Sequence, residues 1–184
     1  MVCPACGNPS RGLCRRCSLS LAPAPIRMVC GVAVVGGYAH RGAAVSLVHR
    51  MKYRRDRSAT RVLVERMASI IDTEPVALVP IPRAWVRRVR YGIDPALALA
   101  TGLSAHMGIP LVESLDAPIW MSPHTGKAAS VRFPRAFDVR RRPPDGSMLV
   151  DDVLTSGSTI AAALAAIGEG EFLVATATTA GTMR

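Results

Sequence analysis

Met148-Leu149-Val150-Asp151-Asp152-Val153-Leu154-Thr155-Ser156-Gly157-Ser158-Thr159-Ile160 is the stretch on which the fold assignment turns. It opens with β-favouring apolar residues, as a buried strand does. Two carboxylates follow, then a short loop of hydroxyl residues around one glycine, then an alanine-rich helix. Such a loop can aim backbone amides and hydroxyls at one anion, and the helix N-terminus adds partial positive charge. Gly157 lets the backbone approach a ligand without a Cβ in the way. Asp151 and Asp152 can accept hydrogen bonds from sugar hydroxyls or help to hold a magnesium ion. An ordinary strand-to-helix turn, with Ser156 or Ser158 as cap and solvated acids, uses the same residues. The order of strand, paired acids and complete hydroxyl loop favours the anion-binding arrangement.

Working outward, 184 residues fit one main domain with a small appendage. Apolar residues make up 49% of the chain and aromatics only 4%, so Val, Leu, Ile and Ala must fill the core. The net charge of +10, carried mostly by arginine, favours anionic partners such as phosphates or nucleic acid, although a basic surface also serves solubility. Met1-Val2-Cys3-Pro4 has neither the basic start nor the apolar run of a signal peptide. No stretch is long and apolar enough to span a bilayer. These features predict a cytoplasmic protein without membrane insertion.

Residues 1–20 hold Cys3-Pro4-Ala5-Cys6 and Cys14-Arg15-Arg16-Cys17, two Cys-x-x-Cys pairs with the spacing of a four-cysteine zinc site. So short a segment has almost no core, and a structural zinc ion supplies about 10–16 kcal/mol of folding energy at neutral pH. A disulfide pair or a redox Cys-x-x-Cys is the competing reading. Two matched pairs in a reducing compartment favour zinc, held structurally because four thiolates leave no open coordination position. Cys30 lies in an apolar run and reads as a buried hydrophobe. The division is a zinc-binding knuckle over 1–20, a proline-stiffened linker over 21–27 and the main domain over 28–184.

Within the main domain, Met28 to Gly37 reads as a strand and Tyr38 to Lys52 as a helix, ending in Arg50, Lys52, Arg54, Arg55 and Arg57. That cluster fits a solvated helix end and a phosphate or nucleic-acid contact equally well. A second helix is expected over 59–71. Val76 to Pro82 reads as a strand stopped by prolines. The loop Arg83, Arg87, Arg88, Arg90 follows, and then a helix with Asp94 as cap and Pro95 in its first turn. In an open α/β sheet, ligands bind at the carboxyl ends of the strands. The Val-Pro-Ile-Pro and Val-Asp-Asp ends can therefore meet. Residues 111–146, with Trp120, His124, Thr125, Lys127, Arg132, Phe133 and Phe137, read as a flap or a partner surface. His124 reads as a surface histidine rather than a base. Arg140, Arg141 and Arg142 mark an exposed turn. Gly168 or Gly170 ends the alanine-rich helix, and Phe172 to Ala177 is the closing strand.

The Val-Asp-Asp-Val-Leu-Thr-Ser-Gly-Ser-Thr segment resembles the signature of type I phosphoribosyltransferases. With the four-cysteine knuckle, Val79-Pro80-Ile81-Pro82 and the Arg-x-Gly-x-Asp-Pro helix start, the chain is similar over nearly its whole length to ComF-type phosphoribosyltransferase-like proteins. The resemblance implies an α/β type I phosphoribosyltransferase fold, a parallel twisted sheet flanked by helices. It implies that Asp151 and Asp152 bind the ribose of phosphoribosyl pyrophosphate (PRPP) and, indirectly, Mg2+. Thr155, Ser156, Gly157, Ser158 and Thr159 would bind its 5′-phosphate. Pro82, Arg83 and Lys52 would lie near its pyrophosphate. The implied activity is transfer of phosphoribosyl to a nitrogenous acceptor with release of pyrophosphate. The family's association with natural competence adds an alternative, a non-catalytic protein assisting single-stranded DNA uptake with a retained phosphate pocket. Partners would then include single-stranded DNA or a DNA-uptake helicase. Self-association into a homo-oligomer stays open. Two departures stand out. The family's Arg-Gly-Phe-Asn appears as Arg90-Tyr91-Gly92-Ile93-Asp94, and its Thr-x-x-Gln and Arg-x-x-Asn pattern is not matched cleanly around Thr125 to Phe137.

Overall fold

A computed structural model describes residues 1–82, 94–117 and 137–181. The chain forms helix α1 (Arg15–Ser20), strands β1 (Arg27–Val29) and β2 (Val32–Ala39), and helices α2 (Ala43–Arg54) and α3 (Arg57–Ala68). Strand β3 (Leu78–Pro80), helix α4 (Pro95–Met107), and strands β4 (Leu115–Asp116) and β5 (Asp138–Val139) follow. Strand β6 (Ser147–Leu154), helix α5 (Ser158–Ile167) and strand β7 (Phe172–Thr179) complete it.

The main sheet has the order β1-β2-β7-β6-β3. Three of its four pairings are parallel; the antiparallel one is the β1–β2 hairpin at the edge. Side chains alternate between its faces, as the period of two demands. Leu78, Met148, Val150, Ala175 and Ala177 join the cluster made with α2, α3 and α4. Val79, Leu149, Phe172 and Val174 join the opposite cluster, where α5 contributes Ile160, Ala163, Leu164 and Ile167. Both faces are covered, which is why these strands read as nearly continuous apolar runs. The helix before β6 packs on one face and the helix after it on the other. The carboxyl end of β6 is therefore where crossovers diverge, the place where α/β sheets leave a crevice.

The helix boundaries follow from caps. Asp56 Oδ1 accepts from the amides of Ser58 at 2.9 Å and Ala59 at 3.3 Å, so α3 begins two residues earlier than its apolar spacing suggests. Asp94 caps α4 through the amides of Ala96 and Leu97, with Pro95 in the first turn as expected. Gly168 closes α5.

Four local expectations are corrected. Met28 to Gly37 is not one strand but a hairpin, because Cys30 and Gly31 both take positive φ between β1 and β2. Cys30 is accordingly exposed at that turn, not buried. The helix expected from Tyr38 starts only at Ala43, since β2 continues through Ala39 in register with Thr179 of β7. Of the expected 21–27 linker, Arg27 already belongs to β1, and the chain before it touches the end of β2: Ala39 N–H donates to Ala22 O at 2.8 Å, and Pro23 bridges Tyr38. Of the 111–146 segment, 118–136 lie outside the described residues, including Trp120, His124, Thr125, Lys127, Arg132 and Phe133. Its flanks pair as β4–β5 and are tied by Arg140 on Asp116, while Phe137 is buried against the α5 side.

Candidate functional site

Four parallel strand ends meet around β6. Val153 and Leu154 of β6 pair with Thr178 and Thr179 of β7, which pair with Tyr38 and Ala39 of β2. On the other side Pro80 pairs with Val150, and Ile81 N–H donates to Val150 O at 2.9 Å. This brings the Val-Pro-Ile-Pro end beside the paired acids. Pro82 is half-buried there; Arg83, Arg87, Arg88 and Arg90 lie outside the described residues.

Asp151 is half-buried, and its Oδ1 accepts from the Asp152 amide at 2.7 Å. Asp152 is buried, and its Oδ2 sits 2.8 Å from Lys52 Nζ. Lys52 reaches it from the last turn of α2, so this member of the basic cluster is no solvated helix end: its side chain is 12% exposed. Arg54, Arg55 and Arg57 are exposed, and Arg50 donates twice to Asp56 Oδ2, at 2.8 and 2.6 Å. Burial opposes ionisation of Asp56, but Arg50 and the two capped amides outweigh it and hold the carboxyl below its ordinary range.

The loop after the acids is fixed by its backbone. Gly157 is buried with φ +82°, and a Cβ there would lie 2.9 Å from Val29 Cγ2. Only glycine satisfies both the left-handed conformation and that contact. Arg27 donates to Thr155 O at 2.6 Å, and Ala180 N–H donates to Leu154 O at 2.8 Å, bracing the turn from β1 and β7. Ser156 Oγ bonds Ser158 Oγ at 3.1 Å. Thr155, Ser156 and Ser158 are exposed, and Thr159 is half-buried. The first turn of α5 contains no acidic residue and receives no side-chain cap from Gly157, so its positive end is left uncompensated by that turn.

Sequence reasoning missed His40 and Thr178. His40 Nδ1 lies 2.8 Å from Thr178 Oγ1, and Thr178 Oγ1 lies 3.5 Å from the Asp152 carbonyl. Burial and then the Lys52 charge push the His40 pKa down, against a smaller opposing pull from Asp152. The imidazole is thus neutral at pH 7. The usable signal was the threonine run of β7: Thr176, Thr178 and Thr179 are fully buried in an otherwise apolar strand. Buried hydroxyls need partners, and theirs lie at the strand ends.

At the N-terminus, the four sulfurs of Cys3, Cys6, Cys14 and Cys17 lie within 4.8 Å of one another and can hold a metal ion such as zinc. Burial opposes ionisation of Cys3, but the amides of Cys14, Cys6 and Ala5 bring its thiol down to about 6. Burial, then the neighbouring cysteines, raise Cys17 to about 12. One readily formed thiolate among crowded thiols suits a divalent cation, which displaces the remaining protons on binding. Cys3, Ala5 and Cys17 belong to the same apolar cluster as Leu47, Val48 and Met51 of α2. Ser20 Oγ donates to Cys17 O at 2.8 Å and accepts from Ala43 N–H at 3.2 Å, so the end of α1 caps the start of α2.

A separate depression of about 500 Å3 lies at the opposite end, between the carboxyl ends of α3 and α4, lined in part by Glu65, Asp72, Glu74 and His106. None of the sequence-assigned residues reaches it. No helix among the described residues is long and apolar enough to cross a membrane. No family model matches the chain, and no curated protein matches it.

Proposed function

We propose that the chain is a ComF-type phosphoribosyltransferase-like protein with the type I phosphoribosyltransferase fold. It binds PRPP with Mg2+ at the carboxyl end of β6 and transfers the phosphoribosyl group to a nitrogenous acceptor. The observation that carries this reading is the junction of β6 and α5: paired acids with Asp152 buried, a hydroxyl loop turned by Gly157, and a helix start without its own acid. Those features supply acceptors for sugar hydroxyls and donors for a phosphate within one continuous turn.

In this mechanism the amides and hydroxyls of Thr155 to Thr159 hold the 5′-phosphate, and Asp151 and Asp152 orient the ribose. The acceptor nitrogen uses its lone pair to form a bond to C1 as the bond from C1 to the pyrophosphate oxygen breaks, its electron pair leaving with pyrophosphate. Positive charge builds on the ring in passing, and the carboxylates stabilise it. Mg2+, when bound, neutralises charge on the leaving group. The knuckle holds a structural zinc ion.

The test is calorimetric titration of zinc-loaded protein with PRPP and Mg2+. Saturable, Mg2+-dependent binding is expected, weakened at least about tenfold by Asp151→Asn. No heat at millimolar PRPP in a folded sample ends the reading.

A second reading, single-stranded DNA handling, draws on one specific feature. Tyr53 is 47% exposed, its ring lies 4.6 Å from that of His49 with the planes tilted by 51°, and it stands among exposed Arg54, Arg55 and Arg57. An aromatic face beside cations suits a stacked base. Affinity for oligo(dT) should then fall steeply with salt and drop with Tyr53→Ala; a flat salt response removes it.

A further inference from the structure

Lys52 raises a question that the phosphoribosyl reading does not answer. If Asp152 receives the ligand, its Oδ2 is already occupied by an ammonium group 2.8 Å away, and both side chains are largely buried. A buried carboxylate cannot give up its counter-charge without replacement, because an uncompensated charge in a low-dielectric site is costly. A divalent cation that takes the Oδ2 side of Asp152 must therefore exchange with the Lys52 ammonium.

The choice of residue supports this. Among 23 basic side chains, only Lys52 and Lys127 are lysines. Elsewhere the described carboxylate pairs use arginine: Asp56, Asp116 and Asp145 all do. A guanidinium holds a carboxylate through a rigid two-point fork, as Arg50 holds Asp56. An ammonium is a single-point cation on a flexible stem and lets go more easily. His40 does not compete for the position, since it bonds Thr178 and is neutral.

We propose that Lys52 is the resident counter-cation of Asp152, a specificity-determining residue that yields its place to a divalent cation only when the ligand brings an anionic group for the freed ammonium. The site then selects a divalent-cation complex of a polyphosphorylated sugar over either a bare cation or a sugar monophosphate. The ligand's identity rests on the phosphoribosyl reading; the cation exchange does not.

The experiment titrates Mn2+ into zinc-saturated protein, followed by electron paramagnetic resonance, with and without PRPP. Wild type should bind Mn2+ weakly alone and more tightly with PRPP. Lys52→Gln should gain at least about tenfold in affinity for Mn2+ alone, and Lys52→Gln/Asp152→Asn should lose that gain. Lys52→Arg keeps a cation on Asp152 and a native thermal transition, and should lose at least about tenfold in PRPP-dependent Mn2+ binding. A Lys52→Gln protein with wild-type Mn2+ affinity, or a gain that survives Asp152→Asn, overturns the proposal. A gain in Mn2+ affinity together with no PRPP binding by any variant upholds the exchange and overturns the phosphoribosyl reading.

Discussion

Replacing Lys52 by methionine is the most informative single change for stability. The side chains of Lys52 and Asp152 are 12% and 9% exposed, and their charged atoms are 2.8 Å apart. An exposed pair at that distance is worth about 0–1 kcal/mol. A buried pair that loses one member costs about 3–5 kcal/mol, because the remaining charge has lost its compensation. Asp152 keeps other partners, which places the expected loss near the lower end, about 3 kcal/mol. Lys52→Met/Asp152→Asn removes both charges and should lie within about 1–2 kcal/mol of wild type, giving strong coupling in the double-mutant cycle. Guanidinium unfolding of zinc-loaded protein at neutral pH measures all four species, with unchanged slopes required for the comparison. A loss below about 1 kcal/mol in Lys52→Met, or additive single losses, would show that the pair behaves as a solvated contact and that the burial argument is wrong.

The other predictions concern the turn, the cap and the metal. Gly157→Ala combines a left-handed φ with a 2.9 Å approach to Val29, and should cost about 2 kcal/mol while abolishing phosphate binding; calorimetry with inorganic phosphate reads the second effect. Asp56→Ala removes the α3 cap and leaves Arg50 unpaired, for about 2 kcal/mol at neutral pH. Because the folded pKa of Asp56 is depressed, its contribution is complete above 3.8 and is lost as the pH falls through the lower folded value, so acid titration of stability should bring variant and wild type together. Cys17→Ser should abolish binding of one zinc ion per chain, measured by release to a colorimetric chelator, and should lower the unfolding midpoint of the whole chain, since Cys17 shares an apolar cluster with α2.

How much of this was legible in the sequence depends on the range of the interaction. The β6 strand, its acids, the hydroxyl loop and the helix after it form one local unit, so residue order alone placed them. The Asp94-Pro95 start of α4 was equally local. The hairpin at Cys30-Gly31 was not, because its flanking residues are all β-favouring and only the positive φ values break the run. The Lys52–Asp152 pair spans a hundred residues and carries no periodic signature. His40 was hidden for a related reason. A strand continuing to Ala39 requires β7 as its partner, and a helical pattern beginning at Tyr38 looked sufficient without it.

One hydroxyl has a consequence for how this protein responds to metal loss. Ser20 closes the first turn of α2 from outside that helix, and it is anchored to the carbonyl of Cys17, one of the four clustered cysteines. Stripping the cysteines therefore loosens the forward end of a twelve-residue rod whose far end aims the ammonium at Asp152. Hydrogen exchange should show the amides of Ala43 and Ala44 losing protection first after chelation, ahead of the rest of α2.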